Sequence, residues 1–96
     1  MRELDEKILR MATDVFEVQA PDLARAGYTY SAPEIEVWES APETYTSEIR
    51  VTILRNGNIE HVLETHIYRD GRALVTVEEA REWFDEHLGK MVESSK

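Results

Sequence analysis

Residues 48–71 read EIRVTILRNGNIEHVLETHIYRDG, and how this stretch folds back on itself decides the architecture. Two runs with apolar residues at alternate positions flank Asn56-Gly57. Asn-Gly between such runs signals a hairpin, because both residues tolerate the positive φ of a tight turn. A two-residue loop sets Leu54 opposite Ile59 and Ile53 opposite Glu60. That register puts Ile49, Val51 and Ile53 on one face with Glu60, Val62 and Glu64, and so buries charge. A shift of one residue reverses the faces, so a three-residue loop repairs the pattern. With Arg55-Asn56-Gly57 as the loop, Ile53 faces Ile59, Val51 faces His61, and Gly57 takes the left-handed position of a bulged turn. With Asn56 to Asn58 as the loop, Val51 faces Leu63, and Arg50–Glu64 and Glu48–His66 become cross-strand pairs. The first has the better turn chemistry and is favoured; the second has the better charge pairs. Both predict an inner face of Ile49, Val51, Ile53, Ile59, Leu63 and Ile67, with His61 turned inward as a hydrogen-bonded core histidine.

Downstream, Asp70-Gly71 predicts a second tight turn, and RALVT (72–76) a short fourth strand. Thr76 with Glu79 spells a capping box, so a helix should start at Val77. Its buried stripe is Ala80, Phe84, Leu88 and Met91, with Trp83 and His87 on the shoulders and a frayed tail at 94–96. Upstream, Leu4, Ile8, Met11, Ala12, Val15 and Phe16 recur at helical spacing and predict an amphipathic helix over 3–19. Pro21 should stop or kink it, leaving 20–33 as an irregular connection with a left-handed stop at Gly27. Ile35 and Val37, alternating with Glu34, Glu36 and Trp38, predict a short strand. Pro33 and Pro42 lack the N–H of a central strand and place it at an edge.

The fold class is therefore α+β. A single domain over 1–96 forms a two-layer sandwich: helix, a three- to four-stranded antiparallel meander, helix, with both helices on one face of the sheet. The order helix, three strands, helix is similar to that of double-stranded RNA-binding domains. The lysine-rich helix start of that family is missing here, and the charge has the opposite sign.

The net charge is −9 and is unevenly spread. Residues 17–49 hold one basic and seven acidic side chains, and SAPEIEVWESAPETYTSE (31–48) holds five glutamates and no base. Such a chain repels phosphates, so neither direct nucleic-acid binding nor membrane binding is expected. A basic protein partner is favoured. There is no cysteine, which excludes disulfides, thiolate zinc sites and cysteine nucleophiles. Met1 is followed by RELDEK with no apolar run, so a cytoplasmic location is the default expectation.

No motif names a reaction. His61 and His66 lie on opposite faces of one strand and cannot share a metal, and the glycines are isolated turn or cap residues. No metal or cofactor is expected. The leading expectation is a non-catalytic binding protein whose acidic surface is Glu34, Glu36, Glu39, Glu43 and Glu48. One form of it is an inhibitor or immunity-type protein whose carboxylates imitate phosphates; small acidic inhibitors of phages and mobile elements share this size and charge. A second expectation is a homodimer through an outer sheet face formed by Trp38, Leu54, Val62 and Tyr68, with space for a small molecule between helices and sheet. A third is an enzyme with a site at His61 beside Tyr28 or Tyr30.

Overall fold

A computed structural model of the chain describes residues 2–94. Helix α1 (Glu3–Arg25) leads into strands β1 (Tyr28–Tyr30), β2 (Glu34–Ala41), β3 (Thr44–Arg55), β4 (Asn58–Arg69) and β5 (Arg72–Ala73), and helix α2 (Val77–Ser94) follows. All strand pairs are antiparallel, in the order β1-β3-β4-β5, with β2 also paired to β3. The architecture is α+β: in chain order an N-terminal helix, an open five-stranded antiparallel sheet and a C-terminal helix. β1 and β2 lie end to end along one side of β3, because β1 takes Ile53–Arg55 and β2 takes Thr44–Arg50. Pro33 sits in the gap between them.

One hydrophobic cluster joins Ile8, Met11, Phe16 and Leu23 of α1, Ile49, Val51 and Ile53 of β3, Leu63 and Ile67 of β4, and Ala80, Phe84, Leu88 and Met91 of α2. The helix stripes and positions 49, 51 and 53 of β3 thus form the dry layer. Phe16 ties it together, with its ring 4.9 Å from that of Tyr30 and 5.8 Å from that of Phe84. The start of α2 follows the capping box. The Glu79 N–H donates to the Thr76 hydroxyl at 3.1 Å, and the Thr76 N–H donates to Glu79 Oε1 at 3.0 Å.

The hairpin corrects the favoured loop. Asn56 and Gly57 alone form the turn, with φ of 54° and 78°, and Leu54 stands opposite Ile59. Glu60 is then an extra residue, because Ile53 pairs with His61. This bulge shifts the strand by one, so Val51 faces Leu63, Arg50 faces Glu64 and Glu48 faces His66. The tight turn and the charge-paired register coexist because the bulge absorbs their mismatch. Ile59 precedes the bulge, so it joins the outer face and is 67% exposed instead of lying in the core. His61 carries the inward parity, yet it stands near the end of the sheet and is exposed.

A second bulge at Ile67, where Ser47 pairs with Tyr68 and Glu48 with His66, moves Tyr68 to the helix side of the sheet. The fourth strand is reduced to Arg72–Ala73, and 74–76 already lead into α2. At the other end, α1 runs through Pro21 to Arg25, so 20–33 is not an irregular connection. Leu23 lies seven residues beyond Phe16 on the same face and is buried. Continuing the helix keeps that contact at the cost of one backbone hydrogen bond. Gly27 ends the helix with φ of 89°. Of the tail expected to fray over 94–96, Ser94 still belongs to α2, and 95–96 lie outside the described residues.

Candidate functional site

The outer face of the sheet gathers charge from three strands. Glu34 of β2, Arg50 of β3 and Glu64 of β4 stand in one row, and Glu36, Glu48 and His66 in the next. Arg50 is the hub. Its Nε donates to Glu64 Oε2 at 3.1 Å and its Nη2 to Glu48 Oε1 at 3.0 Å, with Glu36 Oε2 at 3.7 Å. The hydrogen bond and charge of Glu64 raise the guanidinium above its ordinary value, and Glu48 and Glu36 add to the effect. His66 Nε2 lies 3.8 Å from Glu48 Oε2. One arginine among Glu34, Glu36, Glu48 and Glu64 leaves the cluster net negative. A shallow cavity of about 280 Å³ opens beside it, lined by Glu34, Ile35, Glu36 and Arg50.

Three of the five expected acidic residues, Glu34, Glu36 and Glu48, come together here. The other two lie at the β2–β3 turn. Glu43 takes φ of 60° there, and its N–H donates to Glu39 Oε1 at 2.7 Å. Glu64 joins the cluster although the sequence did not single it out. The Arg50–Glu64 pairing of the second hairpin register was the signal for it.

The four residues expected to form an outer apolar interface do not make one patch. Tyr68 is on the helix side, and Trp38, opposite Thr46, stands six positions along β3 from Val62, opposite Thr52. That is about 20 Å of strand. Trp38 is 40% and Val62 47% exposed, with the charged rows between them. Leu54 is half-buried beside the exposed Ile59.

A second feature escaped the sequence. Asp5 is only 1% exposed, the one buried carboxylate among the described residues. Its Oδ1 accepts from the Ser47 hydroxyl at 2.7 Å and its Oδ2 from the Arg2 N–H at 3.2 Å. It therefore fixes the first turn of α1 to β3. The Arg2 guanidinium lies 4.8 Å from the Tyr68 ring centroid and 5.5 Å from that of Tyr45. These side chains with Val37 line a cavity of about 240 Å³ on the helix side of β2. Acidic residues near a helix start are common, so position 5 gave no sign of its burial.

At the opposite end, the His61 ring lies 6.2 Å from that of Tyr28, and the Arg55 guanidinium is 4.3 Å from the Tyr28 centroid. Among the described residues, no three His, Asp or Glu side chains group so as to hold a metal ion. Nor is any described helix long and apolar enough to cross a membrane. Comparison with known protein families, curated proteins and solved structures finds no match.

Proposed function

We propose that the protein is a non-catalytic binding protein whose outer sheet face takes a basic partner protein. The observation that carries this reading is the convergence of Glu34, Glu36, Glu48 and Glu64 from three adjacent strands around the single Arg50. Strands hold these carboxylates at fixed spacing, so the negative field is preorganised and does not require loops to be ordered on binding. Trp38, whose ring lies 6.4 Å from that of His66, adds an aromatic anchor at the cluster's rim. Inhibition of a nucleic-acid-binding protein by phosphate imitation is the sharpest form of this function, because such partners present basic grooves.

The test compares the parent with a Glu34→Lys/Glu36→Lys/Glu64→Lys variant as bait in host lysate. Salt is set at about 0.05 M and about 0.5 M to vary charge screening. The reading expects basic proteins held by the parent at low salt, released at high salt, and not held by the variant. Retention of the same proteins by the variant, or at high salt, overturns it.

A further inference from the structure

We infer that the partner adds a strand to the open edge of β2, through an extended segment in which basic and apolar residues alternate. This inference rests on the basic-partner reading above and specifies how that partner is held.

The backbone direction along β3 is fixed by two contacts. The Ser31 N–H donates to the Thr52 carbonyl at 2.9 Å, and the Gly71 N–H donates to the Tyr45 carbonyl at 2.7 Å. Even-numbered residues of β3 therefore direct their backbone groups toward β1 and β2, and odd-numbered residues toward β4. Through the register, Glu34, Glu36 and Trp38 face β3 with their N–H and C=O groups. Ile35 and Val37 then direct theirs to the other side, where no strand pairs with β2 among the described residues. The window is bounded by Pro33 at one end and by the irregularity between Glu39 and Ala41 at the other. About six residues of an incoming strand fit it, or about 20 Å.

Side-chain chemistry selects the occupant. On the outer face the incoming strand runs beside Glu34 and Glu36, so lysine or arginine belongs at alternate positions. On the helix side it runs beside Ile35 and Val37, and Val37 is 40% exposed at the rim of the 240 Å³ cavity. Apolar residues belong at the positions between. A second copy of this chain brings no lysine or arginine to this edge, because residues 31–48 hold none. Antiparallel pairing about Ile35 sets Glu34 against Glu36 of the other copy, and pairing about Glu36 sets that residue against itself. The same glutamates that discourage self-association favour a basic strand.

The probe is a blocked eight-residue peptide alternating lysine and valine, with a block peptide of four lysines followed by four valines as the equal-charge control. Binding to isotope-labelled protein is followed by amide exchange and chemical shift. The inference expects the alternating peptide to slow exchange at the Ile35 and Val37 amides and to bind about tenfold tighter than the block peptide. Val37→Pro and Ile35→Pro remove outward N–H groups while keeping every glutamate, and each should weaken binding about tenfold. Glu34→Gln/Glu36→Gln should weaken it similarly. Equal binding of the two peptides, or unchanged exchange at Ile35 and Val37 in the parent, overturns strand addition. Should the proline variants bind as the parent does while the glutamine variant does not, strand addition falls and the charge-based function survives. Circular dichroism checks that each variant is folded. The parent's exchange pattern decides the matter even if a proline variant is not.

Discussion

The two faces of this sheet are built from the same strands but obey different rules. Toward the helices, Ile49, Val51, Ile53, Leu63 and Ile67 are buried against Phe16, Phe84 and Leu88, and stability there comes from removing apolar area from water. Away from the helices, neighbouring positions on β3 and β4 carry Arg50, Glu48, Glu64 and His66, which remain in contact with solvent. There the net energy of any one pair is small, and the consequence of the arrangement is a field. The difference teaches where to look for function. A packed layer explains itself, whereas a preorganised negative surface with one cation at its centre contributes little to folding.

The sharpest break in this comparison comes from truncating the dry face. Phe84→Ala removes a fully buried ring that meets Phe16 edge-on, and should cost about 3–5 kcal/mol of unfolding free energy in urea denaturation. A loss below 1 kcal/mol would mean that α2 is not seated on the core. Ser47→Ala comes next. It takes the hydroxyl donor from the buried Asp5 carboxylate and should cost about 1–3 kcal/mol. Asp5→Asn in the Ser47→Ala background should recover part of that loss, since a neutral amide is less costly to leave under-bonded.

The wet face should answer differently. Ile59→Thr, at an exposed position beside the turn, should change stability by no more than about 0.5 kcal/mol. A larger loss would show that the outer end of the hairpin is covered. Arg50→Gln removes the guanidinium at the centre of the cluster. The expected effect is on binding: tighter capture of a basic partner at low salt, with the advantage gone at about 0.5 M salt. If Arg50→Gln weakens capture instead, the arginine contacts the partner directly and the field argument fails.

The dry face was more legible in the sequence than the wet one, and the reason is periodicity. Alternation on β3 and three-to-four spacing on both helices placed Ile49, Val51, Ile53, Phe16, Phe84 and Leu88 correctly. Thr76 and Glu79 marked the start of α2 through reciprocal hydrogen bonds between their own groups. What periodicity cannot show is a bulge, because one inserted residue changes parity without changing composition. The extra residues at Glu60 and Ile67 account for the misplaced Ile59 and Tyr68. Pro21 misled for another reason: local preference was outweighed by the burial of Leu23. Of the acidic site, the β2 glutamates were visible as a charge run. Their convergence with Glu64 required the register, and the burial of Asp5 required the contact with Ser47, 42 positions away.

The smallest effect belongs to the solvent side of α2, the limiting case of a wet surface. Lys90 Nζ lies 3.0 Å from Glu86 Oε1, one helical turn back, and both side chains are mostly exposed. The hydrogen bond from Lys90, and then its charge, hold the Glu86 carboxyl below its ordinary value. A depressed carboxyl contributes stability above its unfolded pKa, and the contribution is lost as pH falls through the folded pKa. Lys90→Met should therefore move the Glu86 titration midpoint upward, read from its side-chain carboxyl resonance. Any stability difference between parent and variant should shrink as the solution is acidified through that midpoint. Because water competes for both groups and salt screens them, raising ionic strength should move the parent's midpoint toward the variant's. An unmoved midpoint in Lys90→Met would mean that the pair is not formed in solution, and that even fixed helical spacing does not organise charge on a face where nothing excludes water.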